Sequence, residues 1–253
     1  MYGVPLITGH NHHASTSKFA PLVAALSVLT GSIVLVGWAF DITVLKSLLP
    51  IWVSMKPNTA VTFVLIGLAL ILVSLPSATL THQRANQLSL LARLCGLLAG
   101  LIGLFTLGEY LFSLNFGIDQ WLFHEPAGTV GTSNPGRMAP ETALCFVLLA
   151  VALGINNDFR KTRLTVFMSI IICMLVVALA LASMLPYMTP ALGLFGWGGY
   201  TIMAVHTSAL LTLLGIATLF MSWQQDVLPW ALSNKTIHGR PLLPSLQSMM
   251  GRR

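Results

Sequence analysis

Charge is what this sequence has least of. Lys, Arg, Asp and Glu make up 8% of its 253 residues, against roughly 25% in a soluble domain, whose surface must stay wet. Lipid is therefore the expected solvent. No polar stretch exceeds about 30 residues, too few to bury a core unaided, which excludes a separate soluble domain. Cysteine is equally sparse: Cys95, Cys145 and Cys173 each stand alone inside an apolar run. Without a C-x-x-C pair, neither a thiol oxidoreductase nor a zinc site is expected, and the three read as small core residues. Catalytic signatures are missing too, with no G-x-S-x-G, H-E-x-x-H or P-loop pattern. His206 is the one histidine close to a span, one short of a bis-His haem. Hence no catalytic residue, metal ligand or cofactor is expected, and His10, His12 and His13 read as a polar terminal segment.

The formal charge of +6 does not describe a nucleic-acid surface. Its basic residues sit in short clusters between apolar runs, as in loops that orient a membrane protein. What is abundant is apolar: 55% of residues, with a mean hydropathy of +0.82.

The apolar residues are arranged in a repeat. Met55-Lys56-Pro57-Asn58-Thr59-Ala60 opens one apolar run, and Met138-Ala139-Pro140-Glu141-Thr142-Ala143 opens another 83 residues on. A worn third copy, Met203-Ala204-Val205-His206-Thr207-Ser208, follows after 65 more. Fixed self-similarity of this kind marks one structural unit used several times. The expected fold is all-α: a polytopic membrane protein with six transmembrane helices in three repeated hairpins, about residues 19–76, 88–156 and 162–223. About 20 helical residues cross a bilayer core. The spans predicted are 19–40, one from the first motif to about Leu75, 90–114, one from the second motif to about Ile155, 164–185 and a last one from the third motif to about Trp223. Residues 1–18 and 226–253 are expected to be cytoplasmic, the latter a disordered tail.

Loop cations set the orientation. Arg84 and Arg93, then Arg160, Lys161 and Arg163, then Lys235, Arg240, Arg252 and Arg253 fall on one side; Asp41, Asp119, Glu125 and Glu141 fall on the other. Both termini are thus placed in the cytoplasm and all three motifs at the outer face. Trp38, Trp52, Trp121 and Trp197 mark the outer interface, Trp223 and Trp230 the inner.

Proline two residues after Met suits the first helical turn, where a missing N–H costs nothing. Asn58, Thr59, Glu141, Thr142, His206 and Thr207 then place polar atoms beside the first free N–H groups, which membrane surroundings do not leave unpaired. Two readings follow: a capped helix entry, or three entries converging on an outward-facing pocket for an anion or polar ligand. Glu109 lies within the third span, where an acid is costly and marks a functional or paired position; His206, His124 and Arg137 are its candidate partners. Asp119 either binds a ligand or caps a short surface helix, since Ile118, Trp121 and Leu122 fall at helical spacing.

These motifs, with Gly117-Ile118-Asp119-Gln120-Trp121-Leu122-Phe123 and Gly136-Arg137 between them, give the chain a resemblance over about residues 20–225. It resembles the N-terminal multi-span sensory region of bacterial membrane-bound sensor histidine kinases and diguanylate cyclases, often placed before PAS domains. The resemblance implies a signal-receiving module of the bacterial cytoplasmic membrane, with no assigned ligand. Its kinase or cyclase output is not in this sequence, which has no phosphoacceptor-His helix, nucleotide-binding Gly-rich region or Gly-Gly-Asp/Glu-Glu-Phe signature. Either a separate cytoplasmic kinase or cyclase supplies the output, or the chain is a shortened gene product; a second copy of the chain is a further expected partner. The competing readings are a small transporter or channel, suggested by the repeats and Glu109, and an assembly subunit of a membrane complex.

Overall fold

The computed structural model describes residues 18–75, 81–157, 162–188 and 199–224. The His-rich N-terminal segment, the tail from residue 226, the basic positions Arg160 and Lys161, and Trp197 and Trp230 lie outside the described residues.

Among the described residues the regular structure is all helical. The elements are α1 (Phe19–Ala39), α2 (Thr43–Lys46), α3 (Pro57–Ser74), α4 (His82–Phe112), α5 (Pro140–Asn156), α6 (Arg163–Ala182), α7 (Leu185–Met188) and α8 (Val205–Ser222). Among the described residues, five helical segments are long and apolar enough to cross a membrane: α1, α3, α4, α8 and Arg163–Met188, which joins α6 to α7. Helix α5 is apolar but shorter, at 17 residues. Helix α4 starts eight residues before the predicted span. Its 31 residues make a rod of about 46 Å at 1.5 Å per residue, longer than a hydrocarbon core of about 30 Å. Arg84 and Arg93, expected in a loop, therefore stand on polar helical turns that prolong an apolar segment.

The helices pack as a closed ring. Helix α1 lies against α3, α3 against α4, α4 against α5, α5 against α6, α6 against α8, and α8 back against α1. Helices α3 and α5, and α5 and α8, also meet across the interior. The motif helices are thus the inner ones. Buried residues make up 56% of the apolar windows of α3 and α8, but 33% in α1 and α4 and 22% in Arg163–Met188. Leu90, Leu94, Leu97, Leu101 and Leu104 leave an exposed apolar stripe along α4, the surface a lipid environment accepts and water does not.

The repeat carries into the core. Phe63, Phe146 and Leu211 hold the same motif position and are fully buried, as are Ile66, Leu149 and Leu214 one turn on, then Ala69, Ala152 and Ala217. The rings of Phe63 and Phe146 meet edge to face, with centroids 4.9 Å apart.

Close approach is set by small residues. A Cβ on Gly31 would lie 2.6 Å from the Ala60 carbonyl oxygen, and one on Gly103 would lie 2.6 Å from that of Ala143, the equivalent motif position. Small side chains let membrane helices approach to backbone contact. At the end opposite the motifs a polar knot joins three helices. Asn156 Nδ2 donates to Ser169 Oγ at 3.2 Å, Ser222 Oγ donates to Asn156 Oδ1 at 3.0 Å, and the two serine hydroxyls lie 3.2 Å apart.

Candidate functional site

The motif end is built on three similar helix entries. Proline stands at the first helical position of α3 and α5, and the preceding Lys56 and Ala139 are extended, with ψ of 152° and 145°, as a residue before proline must be. Ala204, before Val205, takes the same conformation with ψ of 147°. Extension at these positions turns the carbonyl of each motif methionine away from the helix ladder, and an aromatic donor from the preceding helix pairs with it. Trp38 Nε1 donates to Met55 O at 2.9 Å, Tyr110 Oη to Met138 O at 3.0 Å, and Tyr187 Oη to Met203 O at 2.8 Å. Each donor lies seven residues after a small residue (Gly31, Gly103, Ala180) in contact with the fifth residue beyond its methionine; in the third case Ser208 Oγ donates to Ala180 O. The repeat unit is therefore larger than the spelled motif.

None of the three entries has a side-chain cap from its N-cap residue. The polar residues inside the first turn serve unequally. Asn58 Oδ1 accepts from Thr59 N at 2.8 Å, while Thr59, Thr142 and Thr207 are all buried. The Glu141 carboxylate faces its own N–H and that of Met203, tying the start of α5 to the approach to α8. At the third position after each methionine, Asn58 Nδ2, Glu141 Oε2 and His206 Nε2 are buried without a hydrogen-bond partner.

Residues 113–139 fold over these entries and carry two buried charge clusters. In the first, Lys56 Nζ lies 2.5 Å from Glu125 Oε1 and donates to Thr132 Oγ1 at 2.6 Å, while Glu125 Oε2 accepts from Gly136 N at 2.6 Å. Both charged side chains are almost fully enclosed. Burial pulls the Lys56 ammonium below the ordinary lysine range and Glu125 pulls it back up. In the second cluster Arg137 Nε lies 2.7 Å from Asp119 Oδ2 and 3.3 Å from Glu109 Oε2. Arg137 Nη2 donates to Leu114 O at 3.2 Å, and its guanidinium stands 5.3 Å from the centre of the Tyr110 ring. Glu109 Oε1 accepts from Phe116 N at 2.8 Å. Burial raises the Asp119 carboxyl above its usual range, against the hydrogen bond and charge of Arg137, which lower it.

The structure therefore brings Glu109 and Asp119 together through Arg137. Among the described residues no hydrogen bond or ion pair joins either of them to His124 or His206. The surface helix expected around Asp119 does not form. Gly117 has φ of +76°, the segment is a series of bends, and Trp121 is 80% exposed while Asp119 is buried. An ion pair to Arg137 has overridden a local helical spacing. His124 lines an open cavity of about 430 Å³ with Trp38, Lys46, Trp52 and Glu125. Among the described residues no group of three His, Cys, Asp or Glu side chains is placed to hold a metal.

Lys56 and Glu125 are central residues that the motif pattern does not single out. The signal for Lys56 was its departure from the repeat, where the other copies have Ala139 and Ala204. Compared with models of protein families, with curated proteins and with solved structures, the chain matches none.

Proposed function

We propose that the protein is a membrane-embedded sensory module: six spans in three hairpins, receiving a signal at the outer face of a bacterial cytoplasmic membrane and passing it to a separate cytoplasmic histidine kinase or diguanylate cyclase. The observation that carries this reading is the polar cap at the motif end. There the loop of residues 113–139 is bound by two enclosed charge clusters to the entry of α3, the last turn of α4 and the approach to α5. Buried charges are expensive and pair only where geometry is well made, and a change in such a cap has a direct route into α3 and α5. The positive-inside distribution of the loop cations supports a cap outside and both termini in the cytoplasm.

The test is a signalling assay in the native host. Proximity labelling from the protein should recover a kinase or cyclase, and Glu109→Gln, Asp119→Asn and His206→Ala should alter that partner's output. Labelling that recovers no such enzyme, together with unchanged output in all three variants, refutes the proposal. A transporter reading draws on Glu109, fully buried within α4. Glu109 lies in the last turn of that helix and faces the loop, however, while transport sites lie near the midplane on broken helices. Proteoliposome flux lost in Glu109→Gln would favour transport.

A further inference from the structure

The second charge cluster does not balance. Two carboxylates, Glu109 and Asp119, meet one guanidinium, Arg137, and all three side chains are more than nine-tenths buried. Among the described residues no second cation pairs with either acid. Lys56, at the entry of α3, is engaged by Glu125; Glu141, on α5, faces the Met203 N–H; Tyr110, on α4, donates to Met138 O and meets the Tyr200 ring edge to face at 5.0 Å. With both acids ionised the site would hold one uncompensated negative charge, which a protein interior does not tolerate.

The unpaired atoms locate the remedy. Glu109 Oε1 is served by Phe116 N, and Asp119 Oδ2 by Arg137 Nε. Glu109 Oε2 and Asp119 Oδ1 are buried and accept no hydrogen bond. Oε2 lies 3.3 Å from Arg137 Nε, but that N–H is directed at Asp119. Both carboxyls lie on the same Arg137 Nε, Glu109 Oε2 at 3.3 Å and Asp119 Oδ2 at 2.7 Å. Two carboxylates held on one guanidinium nitrogen repel, whereas one proton on either removes that repulsion and supplies a donor.

We propose that Glu109 and Asp119 form a proton-binding site, in which one shared proton joins the two carboxyls under the Arg137 guanidinium. The proton latches the segment after α4 onto the end of that helix. Its loss leaves a second buried carboxylate charge, relieved when the Asp119 segment lifts away. The sign follows from linkage: the closed state binds a proton that the open state releases, so closure is complete at low pH and weakens as pH rises. Between the ordinary carboxyl range and the pair's own titration, the open fraction grows about tenfold per pH unit and then levels off. The two acids titrate as a pair, so the titration belongs to neither alone. The site stands apart from the sensory reading, since a proton can be held here whether or not a kinase or cyclase responds.

The experiment is infrared difference spectroscopy of the full chain in lipid nanodiscs, titrated from about pH 4 to about pH 9, with carboxyl-¹³C glutamate or aspartate introduced in separate samples. The expected result is one protonated-carboxyl band that disappears on raising the pH, shifts with the label, and is lost in Glu109→Gln and Asp119→Asn. Limited proteolysis within residues 115–121 should quicken with pH in the wild type. It should stay slow throughout in Glu109→Gln, whose amide supplies a permanent N–H to Asp119, and Asp41→Asn should behave as wild type. A wild-type spectrum with no labelled carboxyl band overturns the proposal, and so does a band that survives in both variants. Since the labelled wild-type spectrum decides by itself, a variant that fails to fold does not protect the proposal.

Discussion

Replacing Lys56 by methionine removes the ammonium from the first charge cluster while keeping a long unbranched side chain in its place. The wild-type Nζ lies 2.5 Å from Glu125 Oε1 and 2.6 Å from Thr132 Oγ1. Without it Glu125 keeps the Gly136 N–H at 2.6 Å and the Ser54 hydroxyl at 3.3 Å, but no counter-charge. Breaking one side of a buried pair costs about 3–5 kcal/mol, and the two surviving hydrogen bonds put Lys56→Met near the lower end. Glu125→Gln should cost about as much, now leaving an enclosed ammonium. In the double variant no charge remains, and the amide oxygen of the introduced glutamine can still accept from Gly136. It should cost only about 1 kcal/mol, so with each single change costing about 3 kcal/mol the pair's coupling is about 5 kcal/mol, the two single costs less the double. The measurement is reversible unfolding in bicelles, followed by tryptophan fluorescence and circular dichroism. Glu125→Gln carries a pH signature as well. Burial already holds the Lys56 pKa down, and loss of Glu125 removes the influence that raised it. The folded state then binds fewer protons than the unfolded state, so this variant should gain stability as pH rises toward the free lysine range. A double variant as unstable as the two single costs added together would refute the reasoning.

Three further outcomes follow from the geometry. Gly103→Ala should destabilise by about 1–3 kcal/mol because its Cβ meets backbone, as should Gly31→Ala, whereas Gly96→Ala, with open space around the added Cβ, should be neutral or slightly stabilising; the same unfolding assay compares them. Trp38→Phe, Tyr110→Phe and Tyr187→Phe each remove one hydrogen bond to a motif-methionine carbonyl, and each should cost about 0.5–1.5 kcal/mol in that assay. Asn156→Ala should cost about 0.6–1.7 kcal/mol and should raise amide exchange at the ends of α6 and α8 more than at the start of α1.

The helix starts that carry proline were legible to within a turn. Pro57 and Pro140 open α3 and α5, because a fixed φ and an absent N–H fit one helical position well. The third copy lost its proline, yet α8 opens at the matching residue, Val205, held by tertiary contacts where local stiffness is gone. The polar start of α4 was not legible, since hydropathy registers where a helix becomes apolar rather than where it begins. Of the site, Glu109 stood out as an acid in an apolar run, and it is fully enclosed. Arg137 was among its candidate partners and is the one it meets; the choice of Arg137 over His124 and His206, and the pairing of Lys56 with Glu125 across 69 residues, rest on loop folding that no local period encodes. Asp119 shows the same limit from the other side: Ile118, Trp121 and Leu122 have the spacing of a helix, and the ion pair with Arg137 decided otherwise. The aromatic donors Trp38, Tyr110 and Tyr187 were hidden because an indole and two phenols do the same work under different letters.

The knot of Asn156, Ser169 and Ser222 has a mechanical consequence. A slide of α8 along α6 by one residue's rise, about 1.5 Å, would strain together the two contacts that Ser222 makes, at 3.0 Å to Asn156 and 3.2 Å to Ser169. A piston stroke by α8 alone is therefore resisted, while a tilt that carries the ends of α5, α6 and α8 as one block leaves every bond intact. Displacement applied at the motif end is transmitted by this scaffold as leverage rather than as thrust.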